Sequence, residues 1–239
     1  MSAGPVSGNI PTLALYFDQP QKFEETSIVL SVKEVFVKKT KYFGVQLDRS
    51  IFHPQGGGQL SDIGTINGKN VDFVHKEEGS RRDQFTIFHC FKDPIDFKVG
   101  DSVHLQVDKD NRFLNSRWHT AAHVVGHLVE QNFPNCKAFG GNCFPGDAYM
   151  KFSVSDGAFP DTKDLIEKVE KSFKVLILDN PPLVILKDGE NRRLQIGSYE
   201  PVGCGGTHIE SLKDLRELTI LGCKCNSKEK TLTVKYKLS

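Results

Sequence analysis

The sequence predicts an α+β fold in two parts. Residues 1–113 are expected to form a small β-barrel-like or sandwich domain, and residues 114–239 an α+β domain whose helices pack on an antiparallel sheet. Three observations support this prediction: strand-like runs fill the chain up to about residue 111, two helical patterns follow, and β-branched runs close the chain.

The N-terminal part alternates strand-like runs with turn residues. Its runs are rich in β-branched and aromatic residues, which is typical of strands. They are SIVLSVKEVFV (27–37), YFGVQLD (42–48), GTINGKNVDFVHKE (64–77), QFTIFHCF (84–91) and SVHLQVD (102–108). Asn67 and Gly68 interrupt the third run with a dipeptide that favours a hairpin turn, so this run predicts two paired strands.

The C-terminal part begins with helical patterns. Ser116 is predicted to cap a helix over residues 117–132, and Asp161 a second helix that ends at Asn180 before two prolines. The second helix would bury one apolar face, formed by Leu165, Ile166, Val169 and Phe173. Strands are then predicted at LVILK (183–187), LQIGSY (194–199), RELTILGCKC (216–225) and TLTVKYKL (231–238).

The composition of the 239-residue chain is that of an ordinary globular protein, with 38% hydrophobic and 26% charged residues. No apolar run is long enough to cross a bilayer, and the first residues lack the basic and apolar segments of a secretory signal. Six cysteines are too sparse for a disulfide scaffold. We therefore expect a cytoplasmic protein that does not bind membranes.

Two pairs of residues predict a metal site. His119 and His123 in HTAAH are four residues apart, which places both imidazoles on one face of a helix. Cys204 and His208 in CGGTH have the same spacing, but two intervening glycines favour a tight loop. Three imidazoles and one thiolate suit tetrahedral zinc, so we expect one Zn²⁺ per chain.

A glycine-rich segment, SIFHPQGGGQLSDIG, covers residues 50–64. Three successive glycines, Gly56 to Gly58, allow close approach to the backbone and expose N–H groups. The segment lacks the GK[ST] ending of a P-loop. From the residues alone, a phosphate cradle and a simple β-turn both remain open.

Basic residues cluster locally although the net charge is only +1. The clusters are either solvated surface or a phosphate footprint. They comprise Lys33 to Lys41, Arg81–Arg82, Arg192–Arg193, and the tail with Lys224, Lys228, Lys230, Lys235 and Lys237.

Taken together, these motifs resemble those of the AlaX family, free-standing relatives of the editing domain of alanyl-tRNA synthetase. FHPQGGGQLSDIG is similar to the family's glycine-rich motif, HTAAH to its HTAxH motif and CGGTH to its CxxxH motif. Asp108 and Arg112 match a D-x-x-x-R run that precedes the histidines. The resemblance runs from about Lys41 to the C-terminus and includes no synthetase catalytic domain.

The resemblance implies a zinc-dependent hydrolase that acts in trans on the 3′ acceptor end of mischarged tRNA. Its expected substrates are seryl-tRNA and, secondarily, glycyl-tRNA for alanine. Ser50 stands where the family commonly has a threonine that recognises the serine hydroxyl, and Gln59 is a second expected substrate-binding residue. Gly57 and Gly58 would let the terminal adenosine or aminoacyl group lie against bare backbone.

Several alternatives stay open from the sequence. The substrate could be seryl-tRNA for threonine, or the chain could be a zinc-stabilised module that binds tRNA without hydrolysing it. Zinc could activate water or orient the substrate, and no side-chain nucleophile is assigned. His53 is interpreted as a packed histidine, and His127 as a residue beside the ligands but not a ligand.

Overall fold

The computed structural model describes residues 10–78, 85–156, 158–189 and 191–239. It has two helices and mostly antiparallel sheets, so the predicted α+β class is confirmed. The chain separates into two compact units. The first runs to Gln55 and resumes over Ser61–Lys109, and the second comprises Gly56–Leu60 and Asp110–Ser239. Arg81 and Arg82 lie outside the described residues.

The described part of the first unit contains nine strands and a short 3₁₀ helix at Leu15–Phe17. The strands are β1 Leu13–Ala14, β2 Glu24–Val37, β3 Thr40–Leu47, β4 Arg49–Ser50, β5 Gly64–Ile66, β6 Lys69–Val71, β7 Phe73–Glu78, β8 Phe85–Phe91 and β9 Ser102–Val107. The predicted Asn67–Gly68 hairpin is present, because β5 and β6 pair antiparallel and both turn residues have positive φ values, 48° and 77°.

Seven of these strands form one sheet in the order β6-β5-β9-β2-β3-β8-β7. The long strand β2 pairs with β9 through its first half and with β3 through its second half. Within the described residues the sheet is open, since β6 pairs only with β5 and β7 only with β8. The barrel-like prediction is therefore not confirmed. Closure depends on how the edge strands meet, which alternation along single strands does not encode.

Over its described residues, the second unit contains both α-helices, seven strands and a 3₁₀ helix at Leu212–Leu215. The elements are α1 Lys109–Asn132, β10 Cys136–Asn142, β11 Tyr149–Val154, α2 Thr162–Asp179, β12 Leu183–Asp188, β13 Asn191–Ile196, β14 Val202–Gly203, β15 Leu218–Asn226 and β16 Thr231–Leu238. They make a four-stranded sheet, β10-β11-β16-β15, and a three-stranded sheet, β12-β13-β14.

The helix boundaries test two predicted caps. Asp161 caps α2 as predicted, since its carboxylate accepts a hydrogen bond from the Asp164 N–H at 2.9 Å. Ser116 does not cap α1, because that helix begins seven residues earlier, at Lys109. The added turns bury polar residues such as Arg112 and Asn115, so a search for apolar periodicity misses them.

One face of the four-stranded sheet forms the core of the second unit. Val124, Val125 and Leu128 of α1 are fully buried in the same cluster as Phe152 and Val234 of the sheet. This packing fixes α1, with the two histidines of HTAAH, within the same unit that carries CGGTH. In the part of the chain that the structure describes, no helix is both long and apolar enough to span a membrane.

Candidate metal centre

The four predicted ligands lie together in the second unit. His119 and His123 project from adjacent turns of α1, and Cys204 and His208 come from the loop that follows β14. One ligand atom from each residue lies within 4.8 Å of all the others. The helical spacing and the glycine loop therefore bring together the set that the sequence predicted.

The separations between ligand atoms suit a tetrahedral ion. His119 Nε2 is 3.0 Å from Cys204 Sγ and 3.3 Å from His123 Nε2, while Cys204 Sγ is 3.1 Å from His208 Nε2. Zinc bonds of about 2.0–2.3 Å would give tetrahedral edges of about 3.3–3.7 Å. These three separations are equal to or slightly below such edges, and none of the six exceeds 4.8 Å, so the four residues are spaced to hold a zinc-sized ion.

Hydrogen bonds orient two of the imidazoles with Nε2 towards the cluster. His208 Nδ1 lies 3.1 Å from Thr120 Oγ1, whose own proton is donated to the Ser116 carbonyl at 2.8 Å. His119 Nδ1 lies 3.5 Å from Cys143 Sγ. Partners of this kind set the tautomer of a metal-binding histidine and increase its basicity.

The Cys204 thiol lies beside a cation. Burial raises the pKa of this thiol, whereas the Gly206 N–H and the nearby Arg192 guanidinium lower it in part. Arg192 Nη1 donates to the Cys204 carbonyl at 2.6 Å, and the Cys204 N–H donates to the Arg192 carbonyl at 3.0 Å. Arg192 thereby holds the backbone of the ligand and favours the thiolate that metal binding requires.

His123 is the least buried of the four clustered residues by surface area, but protein atoms surround its imidazole closely. This burial lowers its pKa to about 4, with His127 and Arg192 adding repulsion. This imidazole is thus neutral at physiological pH, which is the state that binds metals.

Gly206 allows the loop to pass against the helix. A Cβ at this position would lie 2.6 Å from His119 Nε2 and 2.6 Å from Gln59 Oε1. No side chain fits at such distances without displacing His119, one of the four clustered residues. The second glycine of CGGTH is therefore required by close packing.

Gln59 braces the same loop. Its Nε2 donates to Thr207 Oγ1 at 2.9 Å, and its Oε1 accepts from the Thr207 N–H at 3.0 Å. Thr207 Oγ1 also lies 2.7 Å from Ser116 Oγ on α1. All of these side chains are buried, so Gln59 ties the glycine-rich segment to the residue that directly precedes His208.

A cavity of about 280 Å³ opens beside the cluster. His119 and His123 line it on one side, and Gly57 and Gly58 line it on another. Gly58 has a φ of +79°, and a Cβ there would lie 3.0 Å from the Gly141 carbonyl oxygen. The two glycines that were predicted to face substrate thus line the cavity, which is close to the lower size limit of small-molecule sites.

Ser50 belongs to the first unit and is fully buried. Its Oγ lies 2.8 Å from His89 Nε2 and accepts from the Phe52 N–H at 3.0 Å. His89 Nδ1 lies 3.1 Å from the Val45 carbonyl, which can only accept, so Nδ1 carries the proton and the Ser50 hydroxyl donates to Nε2. Ser50 retains one acceptor lone pair.

Comparisons with known proteins identify the family. Residues 14–111 match the family model for class II (A) tRNA synthetases. The chain is 30% identical over 207 residues to the alanyl-tRNA editing protein AlaX-M of Pyrococcus horikoshii, covering 85% of this chain and 88% of that protein. The chain belongs to the AlaX family.

Two longer proteins are also similar to this AlaX family member. The alanyl-tRNA editing protein AlaX-L of Pyrococcus horikoshii is 27% identical over 227 residues, or 87% of this chain and 53% of that protein. An alanine–tRNA ligase of Sulfurisphaera tokodaii is 24% identical over 237 residues, or 88% of this chain and 24% of the ligase. The chain therefore spans about half of AlaX-L and about a quarter of the ligase.

Two histidines outside the cluster behave as expected. His53 is buried in the first unit and packs edge to face on Tyr16, with ring centroids 5.1 Å apart. His127 stacks on Tyr199 at 4.8 Å and is not one of the four clustered ligands.

Sequence reasoning missed several residues that shape this AlaX centre. Thr120 and Thr207 lie inside the two motifs, so their positions beside ligands could have indicated a supporting role. Cys143 is distant from both motifs in the sequence, and no pattern marks its contact with His119.

Proposed function

We propose that this AlaX family member is a metal-dependent deacylase that acts in trans on mischarged tRNA of the alanine system. One observation carries the proposal: a cluster of three histidines and one cysteine opens on a cavity lined by the glycine-rich segment. The names of its relatives, AlaX-M and AlaX-L, which are alanyl-tRNA editing proteins, support the same conclusion. The partner is accordingly a tRNA whose 3′ end carries the wrong amino acid.

Zinc is the proposed ion, held by His119, His123, Cys204 and His208. When bound, it would supply Lewis-acid polarisation of the ester or activation of a water molecule. The protein residues position the substrate. His119 and His123 line the cavity, and Gly57 and Gly58 leave room for an aminoacyl ester against the backbone.

Seryl-tRNA for alanine is the proposed main substrate, and glycyl-tRNA for alanine the second. A synthetase pocket that accepts alanine cannot strongly reject an amino acid of similar size, so a hydrolytic site is needed to remove the error. Such a site favours serine over alanine when a polar group pairs with the serine hydroxyl, because alanine leaves that group unpaired.

Ser50 is the residue we propose for this discrimination, and Gln59 is proposed to support the site. Ser50 is fully buried and its hydroxyl pairs with His89 and the Phe52 N–H, so the proposal for Ser50 rests on its place in the glycine-rich motif. Gln59 is engaged with Thr207 at both ends of its amide, so its contribution is to hold the loop beside the cavity. Loss of one hydroxyl contact should reduce discrimination about ten- to a hundredfold.

A deacylation panel tests the proposal. Zinc-loaded protein is incubated with seryl-, glycyl- and alanyl-tRNA for alanine and with seryl-tRNA for threonine. We expect rapid release of serine from alanine tRNA, slower release of glycine and no acceleration for alanine. Preferential hydrolysis of seryl-tRNA for threonine would show that this is the substrate instead. Binding of tRNA without hydrolysis of any of these esters would show that the protein is a non-catalytic tRNA-binding module.

A further inference from the structure

The outer face of the four-stranded sheet carries a group of lysines that the proposed chemistry does not use. On β16, buried residues alternate with Lys235 and Lys237, which point away from the core. Lys151 on β11 alternates in the same way with buried Phe152. Because successive side chains of a strand point to opposite faces, these lysines lie opposite the core of the second unit.

The pairing register brings the lysines of all four strands together. Lys151 pairs with Thr233, which pairs in turn with Lys224. Paired residues of antiparallel strands lie on the same face, side by side. The basic sheet face is defined here as Lys137, Lys151, Lys224, Lys235 and Lys237, all of which are exposed. From β10 to β15 it spans three strand spacings, or about 14 Å.

The charge of this face is almost uncompensated. None of the strands β10, β11, β15 and β16 contains an acidic residue. Lys137 lies 3.8 Å from Glu130 of α1, and Lys235 lies 3.7 Å from Asp147, but their side chains remain 65% and 61% exposed. Among the described residues, the other three lysines have no carboxylate within 4.0 Å.

The residues between the lysines suit a polar partner. Thr231, Thr233 and Ser153 occupy the same face, and they offer hydroxyl groups to a phosphate backbone. Tyr149 adds an aromatic ring next to Lys151, whose Nζ lies 5.7 Å from the ring centroid. A face of lysines, hydroxyls and one aromatic ring matches a nucleic-acid backbone better than it matches an apolar protein surface or a lipid tail.

The cavity and the basic sheet face share two strands but lie on their opposite sides, since Met150, which lines the cavity, alternates with Lys151. The strands β10 and β11 supply lysines to the face, and Gly140, Asn142 and Met150 of these strands line the cavity beside the metal ligands. Because β10 is the edge strand of this sheet, a nucleotide chain whose end enters the cavity would pass around β10 to reach the lysines. We propose that the basic sheet face binds the phosphate backbone of the tRNA acceptor stem, an inference that rests on the proposed function.

The test removes three lysines that have no carboxylate partner. Lys151→Gln, Lys224→Gln and Lys237→Gln are combined, and binding of an uncharged alanine tRNA transcript is followed by fluorescence anisotropy at several salt concentrations. Each lost phosphate contact should reduce the slope of log K against log salt by about 1. Between about 50 and 200 mM salt, wild-type affinity should thus fall roughly fiftyfold more than that of the triple variant.

A matched control removes the same charge elsewhere. Lys163, Lys171 and Lys174 are exposed on α2, where acidic residues are interspersed among the lysines. Their triple replacement by glutamine should leave both the Kd and the salt slope close to wild type. Equal losses in the two triple variants would overturn the proposal, because the effect would then be one of net charge.

Other outcomes separate this proposal from the proposed function. Anisotropy measures tRNA binding and does not depend on hydrolysis. Hydrolysis of a seryl ester of the trinucleotide CCA by the wild-type protein measures the activity of the metal centre on a substrate that has no acceptor stem. Wild-type hydrolysis of the short ester, combined with unchanged tRNA binding by the Lys151, Lys224 and Lys237 variant, would overturn the basic sheet face alone. Absence of hydrolysis with the expected change in salt slope would overturn only the proposed function.

Discussion

Replacement of Gln59 by alanine tests how the metal loop is held. The substitution removes both hydrogen bonds to Thr207 and leaves the buried Thr207 N–H without a partner. Loss of the bond to Thr207 Oγ1 costs about 1 kcal/mol, and loss of the other bond leaves a buried donor unsatisfied, which costs about 1–3 kcal/mol. We expect Gln59→Ala to destabilise the zinc-loaded protein by roughly 2–4 kcal/mol and to weaken zinc binding about ten- to a hundredfold.

A double-mutant cycle distinguishes the specific interaction of Gln59 with Thr207 from a general loss of stability. Stability is measured by urea unfolding, and zinc affinity by competition with a chelator, for Gln59→Ala, Thr207→Val and the double variant. Because the two side chains contact each other directly, their coupling energy should exceed about 1 kcal/mol. Gln131→Ala is the control. This exposed side chain accepts a single hydrogen bond among the described residues, from the Tyr199 hydroxyl, so its loss should reduce stability by less than about 1 kcal/mol.

Two results would refute the reasoning. The first is a coupling energy below about 0.3 kcal/mol, the level at which independent sites are additive. The second is a Gln59→Ala protein that binds zinc as tightly as wild type but no longer distinguishes seryl- from alanyl-tRNA. In that case Gln59 would contact the substrate directly.

Three further predictions concern other parts of the molecule. Gly206→Ala should abolish zinc binding because its Cβ would meet His119 Nε2, whereas Gly203→Ala, where a Cβ meets nothing within 4 Å, should bind zinc normally; equal zinc content in the two variants would contradict the packing argument. Burial lowers the pKa of His89 from 6.5 to about 4. Between these pH values His89 is therefore protonated in the unfolded chain but remains neutral in the folded protein. Stability should therefore fall by up to about 3 kcal/mol between pH 6.5 and 4, and urea unfolding of His89→Gln should show a flatter pH dependence. Ser50→Ala should slow hydrolysis of seryl-tRNA with zinc content unchanged, and wild-type rates and selectivity in this variant would remove Ser50 from the discrimination.

The sequence predicted the cluster of His119, His123, Cys204 and His208 because its geometry is local. A spacing of four residues on a helix fixes His119 against His123, and the glycine loop limits how Cys204 and His208 can meet. The Asn67–Gly68 turn and the Asp161 cap were predicted for the same reason, since each depends on a few neighbouring residues.

Features that depend on distant residues were missed or were wrong. The start of α1 was placed too late because its first turns bury polar side chains such as Arg112. The barrel-like sheet was inferred from strand content, which does not determine how edge strands meet. The basic sheet face depends on the register between strands, so Lys151 and Lys224 could not be placed on one surface from spacing alone.

The most direct test of the account relates deacylation to metal content. The protein is stripped of metal, reloaded with graded amounts of zinc, and assayed for single-turnover hydrolysis of seryl-tRNA for alanine, with Cys204→Ala as the matched variant. Zinc content is measured on the same samples. We expect activity to rise in proportion to occupancy up to one zinc per chain, and Cys204→Ala to lose both zinc and activity. Full activity in the zinc-free protein, or in a Cys204→Ala protein without zinc, would contradict the assignment of this centre as the deacylation site.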